Sequence, residues 1–310
     1  MSLIAITGAT GFVGKAVLTR ALADGHRVRA LARRPQPPRD GVEWILGTLD
    51  DHGQLGKLVA GADAVLHIAG MVNAPDRATF EACNAQGTAA VIAAMKAQGT
   101  QRLVHVSSLA AREPLLSDYG WSKAEAERHV ESSRLDWTMV RPPAIYGPHD
   151  AELLELFQMA SKGFVLLPPA GGRLSIIHAD DLAALLVKLA SLQGGATRDV
   201  IYEVDDGRPN GWTHVALAQA IGRAVGRDRI VPLSMPALMV RLGAGIDRMV
   251  RGKKARLTPD RASYFCHPDW VARVSMHPPE SVWKPAIATE QGLASTVVAY
   301  REKGLLKPAA

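Results

Sequence analysis

Short apolar segments alternate with longer amphipathic segments along the first half of the chain. The apolar segments show little alternation of apolar and polar positions, which is typical of parallel strands covered on both faces. They predict strands at residues 3–7, 27–32, 42–46, 64–69, 102–107 and 137–141. The segments between them have helical length, as in "YGWSKAEAERHVESS". This βαβ alternation predicts an α/β fold with a doubly wound parallel sheet of the Rossmann type.

The alternation weakens after Gly147, where prolines cluster in "LLPPAGG", "VPLSMP" and "HPPE". We therefore predict a first domain at residues 1–147. Residues 148–173 and 207–310 are expected to form a second, smaller and mostly helical lobe. Between them, "LSIIHADDLAALLVKLA" and "VIYEVDDG" predict that the chain returns to the sheet within residues 174–206.

Composition narrows the class of protein. The 310 residues are 47% hydrophobic and 21% charged, as in an ordinary globular protein. Cys83 and Cys266 lie far apart, so no disulfide framework is predicted and a reducing compartment is the simplest setting. The N-terminus lacks the pattern of a signal peptide, and "SMPALMVRLGAGIDRMV" is too short to span a bilayer and contains Arg241. These features predict a soluble, cytoplasmic protein with no membrane span.

The distribution of charge and the lack of clustered metal ligands argue against a nucleic-acid-binding protein and against a metalloprotein. The net charge is +6, but lysines and arginines are spread along the chain, so nucleic acid is not the expected partner. A basic surface favours small anionic ligands such as a phosphate-bearing cofactor. Cys266 and His267 lack the further ligands that a metal site requires, so no metal is predicted. The expected partner is a small-molecule substrate, and self-association into a homo-oligomer is left open.

A glycine-rich turn, "TGATGFVG", separates the first predicted strand from the first predicted helix. At this position the helix N-terminus offers unpaired N–H groups and the positive end of its dipole to a pyrophosphate. Gly8 would permit the tight turn, Gly11 the close approach of phosphate, and Gly14 the packing of helix on strand. The turn therefore predicts a dinucleotide site.

The second predicted strand ends in "ALARRP", which bears on the choice of dinucleotide. NAD-specific sheets usually carry Asp or Glu about 20 residues beyond the glycine turn, where it binds the ribose 2′-hydroxyl. Arg33 and Arg34 occupy that place here, and the next acid is Asp40. Guanidinium groups suit a 2′-phosphate. NADP(H) is therefore favoured over NAD(H).

Candidate chemistry lies in "HVSSLA" and "YGWSK". Tyr119 and Lys123 are four residues apart on a predicted helix, so both side chains lie on one face. A nearby ammonium stabilises a phenolate, so we expect the pKa of Tyr119 to be lowered enough for acid/base catalysis. Ser107 and Ser108 end a strand on the cofactor side of the sheet, where one hydroxyl could hold a substrate oxygen.

Together these motifs resemble the extended short-chain dehydrogenase/reductases, also called the NAD-dependent epimerase/dehydratase family. "TGATGFVG", "HIAG", "NAQGT", "YGWSK" and "RPPAIYGP" are similar to the family's successive motifs, and "IIHADDLA" and the C-terminal segment follow its later pattern. "RLTPDRASYFCHPDW" resembles members related to dihydroflavonol reductases and 3β-hydroxysteroid dehydrogenases. The chain departs from the family at "GTLDD", where Thr48 replaces an acid, and in a short loop between Ser108 and Tyr119.

The resemblance implies catalytic roles for Ser108, Tyr119 and Lys123. Tyr119 would exchange a proton with the substrate oxygen, Ser108 would hold that oxygen, and Lys123 would bind the nicotinamide ribose. Residues 1–147 would bind the dinucleotide, and the second lobe would bind the substrate and close over the nicotinamide. The expected cofactor contacts are Gly8, Thr10, Gly11, Phe12, Val13, Gly14, Arg33, Arg34, Leu49, Ala69, Gly70, Met71, Asn84, Ser107, Tyr119, Lys123, Pro142, Pro143, Ala144 and Ile145.

Three functions compete. The first is an NADP(H)-dependent oxidoreductase that acts on the carbonyl or secondary alcohol of a fairly apolar substrate. The second is a nucleotide-sugar epimerase or dehydratase, which would need basic residues for a diphosphate, with Arg173, Arg208 and Arg251 as candidates, and for a dehydratase an acid where Leu109 stands. The third is a non-catalytic cofactor-binding scaffold, which the intact Ser108, Tyr119 and Lys123 disfavour.

Overall fold

A computed structural model describes residues 1–192, 195–252, 255 and 257–307. The chain divides into two compact units. The first contains Met1–Pro142, Asp180–Glu203 and Ser275–Trp283. The second contains Pro143–Ala179, Val204–Val274 and Lys284–Ala310.

The strands and helices follow one another in the alternation that the apolar pattern predicts. The strands are β1 (Leu3–Thr7), β2 (Arg27–Ala32), β3 (Val42–Leu46), β4 (Ala64–His67), β5 (Arg102–Val106), β6 (Asp136–Arg141), β7 (Ala144–Tyr146), β8 (Phe164–Leu167), β9 (Arg173–Leu174), β10 (Ile176–His178), β11 (Val200–Glu203), β12 (Trp212–Thr213), β13 (Val231–Ser234) and β14 (Asp269–Trp270). The α-helices are α1 (Phe12–Ala23), α2 (His52–Val59), α3 (Arg77–Phe80), α4 (Gly87–Gln98), α5 (Asp118–Glu131), α6 (Leu154–Ser161), α7 (Ala179–Ser191), α8 (His214–Ala224), α9 (Ala237–Arg251), α10 (Pro259–Cys266) and α11 (Thr289–Glu302). A π-helix spans Glu81–Gln86, and 3₁₀ turns span Leu109–Arg112, Gly195–Thr197 and Val274–Met276.

The first unit contains a parallel sheet that, within the described residues, has seven strands in the order β11-β6-β5-β4-β1-β2-β3. The central strands β1, β4 and β5 are almost wholly buried, because their apolar side chains are covered on both faces. The prediction of a doubly wound Rossmann sheet is confirmed. Strands β1, β2 and β3 have the predicted bounds, whereas β4 ends two residues early, where the chain leaves the sheet.

The return of the chain to the sheet differs in part from the prediction. Strand β11 joins the sheet edge beside β6, as the pattern in "VIYEVDDG" indicates. Strand β10 does not join it and pairs instead with β7 in the second unit. Strand β11 already occupies the free edge of β6. The short apolar segment "IIH" of β10 therefore pairs with "AIY" of β7, the strand that follows β6 in the chain.

The second unit has its own apolar core. Helices α6, α8 and α11 pack around it, and its largest buried side chains include Phe157, Trp212 and Tyr300. The Phe157 and Tyr300 rings meet edge to face, with 5.3 Å between ring centroids. Over the ranges that the structure describes, no helix has both the length and the apolar character needed to cross a bilayer.

Candidate active site

The glycine turn after β1 contains two glycines that the protein's own packing requires. Gly8 has a φ of +77°, and a Cβ there would lie 2.7 Å from the backbone nitrogen of Ala69. A Cβ at Gly14 would lie 2.0 Å from the carbonyl oxygen of Gly8. Neither position therefore accepts a side chain without moving the backbone.

Gly11 has a different environment. Its φ is −76°, which other residues adopt readily, and the nearest atom to an added Cβ beyond its chain neighbours is the Gly8 oxygen, at 3.3 Å. That contact is tight, but a shift of a few tenths of an ångström would relieve it, so the polypeptide constrains Gly11 less than Gly8 or Gly14. The sequence assigns Gly11 the close approach of a phosphate, and this role stays a prediction.

The first turn of α1 is suited to an anion. Among the described residues no side chain caps this helix, and its first turn contains no acid, whereas Asp51 caps α2 and Ser117 caps α5. Thr10 and Gly11 are exposed, and Phe12 and Val13 are half-buried. The N–H groups that open α1 are thus left for an outside acceptor. The turn fits the pyrophosphate of a dinucleotide.

Arg33 and Arg34 lie directly after β2, which is the strand next to β1. The carboxyl ends of parallel neighbours meet at one edge of a sheet, so both arginines share that edge with the glycine turn. Both are exposed, and neither forms an ion pair with a carboxylate in the described part of the chain. Their guanidinium groups are therefore available to a phosphate.

The loop after β4 is fixed by a buried amide. The Asn84 Oδ1 accepts from the Met71 N–H at 2.7 Å, and its Nδ2 donates to the Met71 carbonyl at 3.0 Å and to the Ser122 hydroxyl at 2.9 Å. The Thr7 hydroxyl accepts from the N–H of Ala69 at 3.2 Å. Asn84 thus holds residues 69–71 in place. The amide of Asn84 is bound to this loop and to Ser122, and contact of Asn84 with the cofactor stays a prediction.

Leu49 lies beside Gly87, the first residue of α4. Leu49 is half-buried, and a Cβ on Gly87 would lie 2.7 Å from its Cδ1. Thr48, which replaces the family's acid, is exposed, while Asp51 caps α2 through the Gln54 N–H at 3.0 Å.

Tyr119 and Lys123 lie in the first half of α5, whose start is fixed by Ser117, which accepts from the Gly120 N–H at 2.9 Å. The Lys123 Nζ is buried and donates to the carbonyl oxygen of Val106, the last residue of β5, at 2.8 Å. The Tyr119 ring is half-buried and lies 5.9 Å from the Phe80 ring, centroid to centroid. The helix therefore holds Lys123 against the end of β5, one turn from Tyr119.

Burial lowers the pKa of the Lys123 ammonium to about 8, and the nearby Glu127 carboxylate acts against that shift. Burial lowers the pKa of two histidines, His67 and His105, and the charge of Lys123 lowers it further. Lys123 is thus the cation that acts on both buried histidines.

The two serines after β5 have different partners. The Ser107 hydroxyl donates to Glu127 Oε1 at 2.5 Å. The Ser108 hydroxyl accepts from the Ala110 N–H at 3.2 Å, which begins the 3₁₀ turn. No described residue accepts a hydrogen bond from Ser108, so its proton remains available to a substrate oxygen.

A buried ion network, which no sequence pattern predicted, adjoins Ser107 through Glu127. Glu127 accepts from the Arg141 Nε at 2.8 Å and from its Nη2 at 2.6 Å. Arg141 also lies 3.8 Å from a Glu203 oxygen, and Glu203 accepts from Arg112 at 3.2 Å. The only local signal was the position of Glu127, one turn beyond Lys123. The network ties α5 to β6, β11 and the 3₁₀ turn.

The residues expected to border the nicotinamide divide between the two units. The Pro142 carbonyl accepts from the Leu109 N–H at 3.1 Å, next to Ser108. Pro143 begins the second unit, where Ala144 and Ile145 form part of β7. Cofactor contact by these residues stays a prediction.

Comparison with known proteins places this chain in a family. A family model described as NAD(P)H-binding matches residues 8–191. A ceramide reductase of Caulobacter vibrioides is 36% identical and covers 98% of this chain and 96% of its own. A 2-alkyl-3-oxoalkanoate reductase of Stenotrophomonas maltophilia is 29% identical and covers 94% of this chain and 97% of its own.

Solved structures support the fold. The protein MoeE5, in complex with UDP-glucose and NAD, superposes with a TM-score of 0.72 at 20% identity, covering 98% of this chain and 99% of its own. At that identity the likeness concerns the fold alone.

Proposed function

Because this chain belongs to the extended short-chain dehydrogenase/reductases and is an NAD(P)-dependent oxidoreductase, we propose that it uses NADPH to reduce a ketone on a long-chain, apolar substrate. The observation that supports the proposal most is the fixed position of Lys123, which binds the carbonyl of Val106 at the end of β5, two residues before Ser108 in the chain, and which lies one helical turn from Tyr119. The named substrates of the two reductases above share an alkyl chain next to an oxygenated carbon.

The protein's residues divide the work on the substrate oxygen. Bound NADPH supplies the hydride that reduces the carbonyl carbon. As the C=O π electrons move to oxygen, Ser108 donates a hydrogen bond to that oxygen and Tyr119 transfers its phenolic proton to it, giving a secondary alcohol. The Lys123 charge stabilises the phenolate left on Tyr119, which regains a proton from solvent.

A nucleotide-sugar substrate is less well supported. The three arginines that sequence analysis offered for a diphosphate already have local partners. Arg173 donates to the Asn210 carbonyl at 2.7 Å, Arg208 stacks 3.8 Å above the Trp212 ring, and Arg251 pairs with Asp247 at 3.3 Å.

A substrate panel tests the proposal. We expect NADPH oxidation with long-chain 3-oxoalkanoates, 2-alkyl-3-oxoalkanoates or a ceramide whose alcohol has been oxidised to the ketone. UDP-glucose with NAD⁺ serves as the matched sugar-nucleotide assay. Turnover of the sugar nucleotide, with none on any of the ketones, would refute the proposal.

Cofactor choice gives a second prediction. The exposed guanidinium of Arg33 would pair with the 2′-phosphate, so Arg33→Ala should weaken NADPH binding by roughly ten- to hundredfold and leave NADH binding nearly unchanged. Arg39→Ala, an exposed arginine near the end of the same loop, is the control. Fluorescence titration with both nucleotides measures this, and wild-type protein that binds both equally would contradict the assignment.

A further inference from the structure

Helix α9 presents a continuous apolar face to solvent. Its outward side chains are each more than half exposed, namely Leu238, Met239, Leu242, Ile246, Met249 and Val250. At 3.6 residues per turn these positions fall within an arc of about 120°. Single exposed apolar residues are ordinary, but six on one face of one helix indicate an interaction surface.

The opposite face of α9 explains why the helix is held in this orientation. Val240 and Ala244 are buried and pack against Ala262 of α10, with Leu257 beside them. The Asp247 carboxylate accepts from the Leu257 N–H at 2.9 Å and fixes the segment that follows the helix. The second unit therefore anchors α9 by its narrow small-residue face and leaves its larger apolar face outward.

Basic residues accompany this apolar face. Arg241 and Arg248 are exposed and lie on the helix beside the apolar arc. In the sequence, "RMVRGKKAR" places five basic residues, Arg248, Arg251, Lys253, Lys254 and Arg256, at the end of the helix and just beyond it. The helix itself contains one acid, Asp247, which is paired with Arg251 at 3.3 Å.

We propose that α9 binds an anionic membrane surface, lying in the plane of the interface with its apolar face among the acyl chains and its arginines at the headgroups. An amphipathic helix with Leu, Ile and Met on one side and arginines beside them has the composition of interfacial helices. Its 15 residues extend only about 22 Å, so it lies on a bilayer and does not cross it.

A second copy of this chain is the competing occupant, and charge disfavours it. Two copies of α9 packed face to face would bring two sets of arginines together, whereas anionic headgroups neutralise them. The proposal concerns binding alone and does not depend on the proposed reaction. A membrane would also be the place where a long-chain ketone is concentrated.

Vesicle sedimentation tests the proposal. We expect the wild-type protein to sediment with phosphatidylcholine vesicles that contain about 30 mol% phosphatidylglycerol, less with pure phosphatidylcholine, and less at high salt. Leu242→Asp combined with Ile246→Asp should lower the partition coefficient at least about tenfold. Val298→Asp, the same type of change at an exposed position of α11, should leave it unchanged.

A charge-reversal pair keeps the test usable if the aspartate variant folds poorly. Arg241→Glu with Arg248→Glu should lower binding by about fivefold per residue, whereas Arg223→Glu on α8 should cause little change. Equal binding of variants and wild type, or no binding to anionic vesicles, would overturn the proposal. So would light scattering that shows a wild-type dimer converted to a monomer by the aspartate pair, without vesicle binding.

Discussion

Tyr119→Phe is expected to lower the turnover number by about 10²–10⁴-fold while NADPH binding stays near its wild-type strength. The phenol is the proton donor in the proposed reduction, and phenylalanine keeps the ring beside Phe80 but removes that proton. Single-turnover and steady-state assays on the ketone found in the substrate panel measure the effect, and fluorescence titration measures cofactor binding.

Two comparisons show whether this loss comes from Tyr119 itself. Tyr264→Phe on α10, where the ring stacks on Trp270 at 4.5 Å, removes a phenol elsewhere and should keep full activity. Lys123→Ala should impair both turnover and cofactor binding, because the lysine serves both. If Tyr119→Phe retains full activity, the proton comes from another group and the assignment is wrong.

The pH profile gives an independent readout of the same pair. The reduction needs a protonated Tyr119 and a charged Lys123. Since burial lowers the pKa of Lys123 to about 8, the lysine is charged below that pH and loses its charge above it. We therefore expect kcat/KM for reduction to fall as the pH rises through about 8, and a profile that rises there would contradict the role of the lysine charge.

Local patterns were enough to predict the sheet, because each parallel strand is coded by its own apolar run and each helix by its own period. The same holds for Tyr119 and Lys123, whose four-residue spacing on α5 is itself the geometric information. The turn before α1 could also be predicted, because its backbone needs a positive φ at Gly8, which glycine adopts without strain.

The rest of the site depends on contacts between distant segments. Glu127 meets Arg141 and Ser107 only because α5 packs on the sheet, and Glu203 joins them only because β11 lies beside β6. Asn84 likewise binds Met71 across a loop, a contact that no local pattern encodes. The periodicity of apolar and polar residues does not predict hydrogen-bond or ion-pair partners that lie far apart in the sequence.

Gly11→Ala and Gly14→Ala should differ in what they impair: the first should weaken cofactor binding, and the second should lower stability. Gly11→Ala is expected to leave the free energy of unfolding within about 1 kcal/mol of wild type, because its φ of −76° suits alanine and the added Cβ, 3.3 Å from the Gly8 carbonyl oxygen, needs a shift of only a few tenths of an ångström. It should nevertheless weaken binding of NADPH roughly ten- to hundredfold, because the methyl group would keep the phosphate from the α1 N–H groups.

Gly14→Ala should lower the free energy of unfolding, before any effect on cofactor binding. Its Cβ would lie 2.0 Å from the Gly8 carbonyl oxygen, so the turn must shift, at a cost of about 1–3 kcal/mol or more in unfolding free energy. Gly56→Ala in α2, where an added Cβ has its nearest neighbour at 3.7 Å, is the control that should change neither stability by much nor binding. Chemical denaturation and NADPH titration of the three variants separate the two effects. Gly11→Ala protein that binds NADPH as tightly as wild type would contradict the close approach of a phosphate to this turn.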